Sequence, residues 1–209
     1  KQGAVIEGLD ISAEDAQNTV EAIIKAGGQV SFTSGDATVE ADIDSWIKSV
    51  LQRHGRIDIL INNVGQSERL TPEDADTNIW RAQLALNLDS AFYCTRAVLP
   101  VMINAGKGAI VNISSVAGIR HLGKPQIGYN TAKAAVWLAQ SQPHCGRASV
   151  HRKPLALAGL QASGLFVDPI WLAYKDRNQL HKHSDQANRE KVGLQDNQTG
   201  YHSFRVLWL

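Results

Sequence analysis

The stretch from Ile57 to Gly65 reads IDILINNVG. Residues 57–61 are apolar apart from Asp58, and such a run is typical of a strand that is buried on both faces of a parallel sheet. Two asparagines and a glycine follow directly, and glycine permits a tight turn close to a ligand. The stretch therefore predicts a buried parallel strand that ends in a polar turn, although an ordinary strand end could show the same composition.

On both sides of this stretch, strand-like and helix-like segments alternate. Ser12 is a good N-cap with Asp15 at the third helical position, and Gly27-Gly28 supply a stop. The predicted strands are Gly3–Asp10, Val30–Phe32, Ile57–Ile61 and Ala109–Ile113. Four helices are predicted: the first begins at Ser12, the second ends at Gly55, the third runs from about Asp76 to Ile103, and the fourth runs from about Tyr129 to Ala139. This alternation predicts a doubly wound α/β sheet. We expect Pro100 to bend the long helix and the stripe of Trp46, Ile47 and Val50 to pack in the core.

Length and composition limit the classes of protein to consider. The 209 residues suffice for one sizeable core, 44% of them are hydrophobic, and the formal net charge is +1. No run of charge suggests nucleic acid or a membrane surface, and no apolar run approaches the roughly 20 residues that span a bilayer. Cys94 and Cys145 fit neither a disulfide framework nor a zinc site, so we expect two free thiols in a reducing cytoplasm.

The last third of the chain differs in kind. From Ala139 onward the periodicity is lost, and this region holds five of the seven histidines but only five of the twenty acidic residues. We therefore divide the chain into a core, 1–138, and a divergent tail, 139–209, in which 155–160 and 164–167 could form short elements. His181 and His183 lack a third ligand at a convincing spacing, so we expect solvated histidines and no metal site.

Tyr129 and Lys133 are the pair that points most directly to chemistry. Four residues apart on a helix, their side chains share one face. A lysine ammonium stabilises a phenolate, which makes the phenol a general acid/base for an alcohol or carbonyl. Such a pair also arises easily by chance, so its context matters. Upstream lies a strand that ends in Ser114-Ser115, and Asn87 lies in the predicted long helix.

In this order the motifs resemble the classical short-chain dehydrogenase/reductase family. The turn Asn62-Asn63-Val64-Gly65 departs from the family pattern only at Val64, where alanine is usual, and Ser115 lies fourteen residues before Tyr129, where thirteen is more common. The resemblance runs from about Gly3 to Trp137. It implies a nicotinamide-binding Rossmann sheet and hydride exchange between the cofactor and a small secondary alcohol or ketone.

The resemblance also implies a role for each matching residue. Tyr129 would be the acid/base, Lys133 its partner and the ribose anchor, Ser115 the donor to the substrate oxygen, and Asn87 the holder of a proton-relaying water. Cofactor contacts would come from the ends of the strands and the turns after them, namely from Asp10, Ile11, Asp36, Ala37, Asn63 and Gly65, and from Tyr129 and Lys133 on the helix. Asp10 would accept hydrogen bonds from ribose hydroxyls and repel a 2′-phosphate, which favours NAD over NADP. Without the resemblance, Asp10 would be interpreted simply as an acidic residue in a turn before a helix.

Two features of the family pattern are missing, and they leave alternatives open. The family has a central first strand with a glycine-rich turn, and no such segment precedes Lys1 here. The family also has a strand and a Pro-Gly turn after the helix of Tyr129, and no Pro-Gly pair follows that helix here. We therefore expect an incomplete sheet, in which the strand ending at Asp10 and the strand Ile57–Ile61 each lack a neighbour. The chain could be a working enzyme, a non-catalytic remnant, or another nucleotide-binding module. Homo-oligomers, or pairs with intact relatives, would form through the helices at 76–103 and 129–139.

Overall fold

The computed structural model describes residues 3–140, 149–157 and 205–208. The six strands are β1 (Val5–Asp10), β2 (Gln29–Ser34), β3 (Ile59–Asn62), β4 (Lys107–Ser115), β5 (Ser149–Leu157) and β6 (Arg205–Trp208). The five α-helices are α1 (Ala13–Lys25), α2 (Glu40–His54), α3 (Thr77–Leu84), α4 (Ser90–Asn104) and α5 (Ile127–Gln140).

All six strands belong to one sheet in the order β2-β1-β6-β3-β4-β5. Every pairing is parallel, as expected when helices connect successive strands. From β1 the chain continues outward to β2, whereas from β3 it continues in the other direction to β4 and β5. The predicted α/β fold of the Rossmann type is confirmed.

The helix ends follow the local sequence signals. The Ser12 hydroxyl oxygen accepts a hydrogen bond from the backbone N–H of Asp15, as its N-cap pattern predicts. Asp76 caps α3 by accepting from the N–H groups of Asn78 and Ile79. Gly55 ends α2 with φ at 69°, a left-handed conformation that costs glycine little.

The predicted long helix is one helical path with an irregular centre. A π-helical turn, Ala85–Asp89, joins α3 to α4 and contains Asn87. Such turns insert one extra residue in a helix and are frequent at functional sites. Pro100 lies within α4, which continues to Asn104.

The core lies between the sheet and the helices α2 and α4. Its fully buried members include Trp46 and Val50 from α2, Leu60 from β3 and Leu207 from β6. The predicted stripe of Trp46, Ile47 and Val50 is therefore a core face, as expected. One acid lies beside this core, because Glu7 points to the same side of β1 as buried Leu9.

The expected gap between β1 and β3 is filled, so that part of the sequence prediction is wrong. β6 lies there and pairs with both strands. Four residues that no periodicity marks as a strand thus supply the central strand of the sheet. The sheet also continues past residue 138 on the other side, where β5 pairs with β4.

The remaining predictions for the tail have different outcomes. The possible element at 155–160 overlaps the end of β5. Cys145, the segment 164–167, His181 and His183 lie outside the described residues. Within the described ranges, no helix has both the length and the apolar character that crossing a bilayer requires.

Candidate active site

Lys133 and Tyr129 lie on the same face of α5, as predicted. The Lys133 ammonium is 5.8 Å from the centroid of the Tyr129 ring, and only 4% of Lys133 is exposed. Its Nζ donates a hydrogen bond to the carbonyl oxygen of Ile113 at 2.9 Å. Burial lowers the pKa of Lys133 from 10.5 to about 8, because a buried ammonium loses its hydration.

Asn87 is held by hydrogen bonds to its own helical path and to the loop after β3. It is 1% exposed, and its Nδ2 donates to the backbone carbonyls of Gln66 at 3.0 Å and Gln83 at 2.9 Å. Its Oδ1 accepts from the N–H of Gln66 at 3.1 Å. The amide therefore joins the π-helical turn to the loop after β3.

Gly65 is the point at which these groups meet. A Cβ atom at this position would lie 2.7 Å from Oδ1 of Asn87 and 2.9 Å from Nζ of Lys133. Because real Cβ atoms essentially never approach so closely, any larger residue would displace one of the two groups. The glycine of the predicted turn, the asparagine of the π-helical turn and the lysine of α5 thus share one small region.

The two serines at the end of β4 have different partners. Ser114 is buried, and its hydroxyl donates to the carbonyl oxygen of Lys133 at 2.8 Å, which indicates a structural role. Ser115 is half-buried, and its Oγ accepts from the N–H of Ala117 at 3.2 Å. The next glycine, Gly118, approaches the backbone of Lys133 and Ala134 so closely that a Cβ would meet it at 2.6 Å. The end of β4 is therefore fixed against α5 beside Lys133.

Asn62 ties the sheet to α4. It is 5% exposed, and its Nδ2 contacts Oδ1 of Asn112 on β4 in a short hydrogen bond and Oγ1 of Thr95 at 3.2 Å. Its own Oδ1 is buried without a hydrogen-bond partner. The next residue, Asn63, is only partly buried.

The remaining predicted cofactor residues lie at the carboxyl ends of β1 and β2 or just beyond them. Asp10 and Ile11 are exposed, and Oδ1 of Asp10 accepts from the N–H of Ser12 at 2.9 Å. Asp36 is partly buried, and its Oδ1 accepts from the N–H and the hydroxyl of Thr38 at 2.8 Å each. Ala37 is buried at 8% exposure. These four residues lie after different strands from Asn63 and Gly65 but at the same edge.

Sequence reasoning missed the groups that hold the site together. Gln83 and Gln66 orient Asn87, and Gln83 could have been found because it lies four residues earlier on the same helical face. No local sequence pattern indicates that the backbone of Leu70 pairs with the start of α5 and the residues before it. Leu70 donates to the carbonyl of Pro125 at 2.8 Å and accepts from the N–H of Ile127 at 3.2 Å.

The chain is similar to proteins of one family throughout this region. Residues 1–141 match the family model of the short chain dehydrogenases. A 3-oxoacyl-[acyl-carrier-protein] reductase of Synechocystis sp. is 37% identical over 131 residues, which cover 60% of this chain and 50% of that protein. The (2S)-[(R)-hydroxy(phenyl)methyl]succinyl-CoA dehydrogenase subunit BbsD of Thauera aromatica is 30% identical over 100% of this chain and 86% of its own length.

Solved structures agree with these sequence matches. A candidate short-chain dehydrogenase/reductase of Burkholderia xenovorans superposes with a TM-score of 0.65 at 40% identity, over 66% of this chain and 55% of that one. Levodione reductase gives a TM-score of 0.63 at 28% identity, over 66% and 54%. The chain spans about half the length of these two structures and of the Synechocystis reductase. Since the family match covers well over half of the sequence and the sheet has the same architecture, the chain belongs to the short-chain dehydrogenase family.

Proposed function

We propose that the chain is an oxidoreductase that transfers a hydride between NAD(H) and a secondary alcohol or ketone. The observation that supports this best is that Asn87 and Lys133 meet at Gly65, with the centroid of the Tyr129 ring 5.8 Å from the Lys133 ammonium. A phenol beside a buried ammonium suits proton exchange with a substrate oxygen. The cofactor supplies or accepts the hydride when it is bound, and the residues of this chain position the substrate and move the proton.

In this proposal Tyr129 gives its phenolic proton to a ketone oxygen or takes one from an alcohol. The Lys133 ammonium stabilises the phenolate that remains and donates to a ribose hydroxyl. Ser115 orients the substrate oxygen, because the hydrogen bond from Ala117 occupies only a lone pair of its hydroxyl and leaves the O–H to donate. The resemblance implies that Asn87 holds a proton-relaying water. Because the hydrogen bonds of its amide fix Asn87 in place, it would hold that water at a constant position.

The donors and acceptors at the sheet edge fit a nicotinamide dinucleotide. Asp10 is an exposed acceptor of the kind that binds the two ribose hydroxyls, and its charge would repel a 2′-phosphate, which is why we propose NAD. Ile11 would line the adenosine on one side, and Asp36 and Ala37 would lie near the adenine. Asn63 and Gly65 would face the cofactor from the turn after β3.

The relatives suggest which substrates to test first. The Synechocystis protein is named for a 3-oxoacyl thioester, and the Thauera protein is named for a CoA thioester with a hydroxyl on a branch. We therefore propose 3-oxoacyl and 3-hydroxyacyl thioesters as the first class of substrates.

A second proposal is that the chain pairs with copies of itself or with intact relatives through α4 and α5. A groove of about 340 Å³ lies between these helices, with Leu88, Phe92, Leu99 and Val136 among its lining residues. Phe92 is 55% exposed and Trp137 is 37% exposed, so apolar surface is available for a partner. If this pairing occurs without cofactor binding, the chain acts as a non-catalytic partner.

The deciding experiment is titration of the full chain with NADH, followed by nicotinamide fluorescence, with Asp10→Ala and Tyr129→Phe as variants. Saturable binding that weakens in Asp10→Ala supports an assembled cofactor site. Turnover of acetoacetyl-CoA or another 3-oxoacyl thioester should then be lost in Tyr129→Phe while NADH binding is retained. Absence of NADH binding up to millimolar concentration would contradict the enzymatic proposal and leave the pairing proposal.

A further inference from the structure

β6 completes the sheet from a distant part of the chain. On one side Val206 lies opposite Ile6 and Leu207 opposite Glu7, and on the other side Leu207 lies opposite Leu60 and Trp208 opposite Ile61. Leu207 is fully buried in the core cluster and Val206 is 8% exposed. Without β6, the facing edges of β1 and β3 would expose backbone N–H and C=O groups in the middle of the sheet.

Among the described residues, β6 is held by its pairing with β1 and β3. Residues 158–204 separate it from β5, which lies three strands away at the edge of the sheet. By contrast, β1 is joined to β2 through α1 alone, and α1 packs on both of these strands. In the described part of the chain, the position between β1 and β3 is thus defined by the edges of these two strands and by the core cluster that surrounds Leu207.

We propose that the position between β1 and β3 is a binding site for an extended apolar strand, which the 205–208 segment of a second copy of this chain can occupy. Recognition would combine backbone hydrogen bonds on both sides with a buried pocket for the leucine side chain. This is the addition of a strand to a sheet edge, used here on two edges at once. A segment of the same sequence from another copy offers the same groups in the same direction.

Competition between the chain's own segment and that of another copy depends on concentration. A covalent tether raises the concentration of the chain's own segment at the site above that of a segment from another copy when the protein is dilute. At low concentration each copy therefore fills its own site. When the chain's own segment cannot insert, the site becomes available to a segment from another copy, as in domain swapping.

The first test is hydrogen exchange of the full chain. We expect the backbone amides of Val206, Leu207 and Trp208 to exchange at least about 100-fold more slowly than those of an unstructured peptide, because a central strand opens rarely. Exchange at the unstructured rate would overturn the proposal, since the position would then not hold this segment.

The second test separates the site from its tethered occupant. In full-length Leu207→Asp, a carboxylate would have to be buried in the core, so the segment should leave the sheet and the unfolding midpoint should fall by about 10 °C or more. A peptide of residues 202–209, HSFRVLWL, should then raise the midpoint in a saturable way. The same peptide with Leu207→Asp is the matched control.

If the variant does not fold by itself, the gain of helical circular dichroism on adding HSFRVLWL replaces the midpoint as the measurement. An equal effect of both peptides, no effect of either up to millimolar concentration, or an unchanged midpoint in Leu207→Asp would overturn the proposal. None of these measurements involves a cofactor, so they stand apart from the proposed hydride transfer.

Discussion

The ammonium of Lys133 donates a hydrogen bond to the carbonyl oxygen of Ile113 across 2.9 Å, and this contact joins α5 to the end of β4. The hydroxyl of Ser114 reinforces it in the opposite direction by donating to the carbonyl of Lys133. The residue proposed to assist Tyr129 is therefore held at both its backbone and its side chain.

We expect Lys133 to titrate at about pH 8, because burial lowers its pKa from 10.5. The free energy of unfolding should then rise as the pH increases from about 8 to 10.5, since the unfolded chain still holds a proton that the folded chain has lost. The measurement is the ¹³Cε chemical shift of the lysines as a function of pH. The resonance with the low midpoint should disappear in Lys133→Arg, and a midpoint near 10.5 for Lys133 would contradict the prediction.

Gly65→Ala should disturb the site more than the fold. The added Cβ would lie within 3 Å of both Asn87 and Lys133, so one of these side chains must move, at a cost of about 1–3 kcal/mol. We expect NADH affinity to fall at least tenfold. Gly8→Ala is the matched control, since its Cβ would meet its nearest neighbour, Phe32, at an ordinary 3.5 Å. Equal NADH affinity in both variants would show that Gly65 does not need to be small.

Glu7 should make the fold sensitive to acid. Burial alone would raise the pKa of this carboxyl, but hydrogen bonds from Arg53, Ser31 and His54 outweigh that effect and hold the pKa below its usual value of 4.5. Its stabilising contribution should therefore be complete above about pH 4.5 and be lost as the pH falls through the lower folded value. Arg53 donates to it at 2.7 Å.

Urea unfolding of Glu7→Gln tests this prediction. At pH 7 the variant should lose about 1–3 kcal/mol, the usual worth of hydrogen bonds to a charged group. The difference from the original chain should shrink as the pH falls below 4.5. The control is Glu40→Gln, because Glu40 pairs with Arg96 where both side chains are about half exposed, and such pairs contribute little. A similar loss in both variants would be evidence against a special role for the buried acid.

Asn62→Asp should destabilise the sheet strongly. The exchange keeps the shape but removes the N–H donors to Asn112 and Thr95 and places a buried carboxylate against the side-chain oxygen of Asn112. We expect a loss of about 3 kcal/mol or more in urea unfolding at pH 7. Asn78→Asp makes the same chemical change at an exposed position in the first turn of α3, where a negative charge is tolerated. If Asn62→Asp unfolds at the same urea concentration as this control, the interpretation of Asn62 as a tie between β3, β4 and α4 is wrong.

Much of the fold could be predicted because its signals are local. The apolar run Ile57–Ile61, the N-cap at Ser12 and the stop at Gly55 each act within a few residues, so periodicity and capping suffice to place β3, α1 and the end of α2. The pairing of Tyr129 with Lys133 is also local, since a spacing of four residues on a helix fixes a common face.

The tertiary structure alone decided which distant residues meet. Periodicity and capping do not show that Gly65, Asn87 and Lys133 meet, because they lie on a loop, a π-helical turn and a helix that only packing brings together; the family resemblance implied one shared site but not these contacts. The same holds for Arg205–Trp208, four residues without a strand period that become the central strand. Local sequence determined the individual elements, whereas burial of apolar surface and pairing of backbone groups across long separations determined their neighbours, and those interactions exist only once the chain has folded.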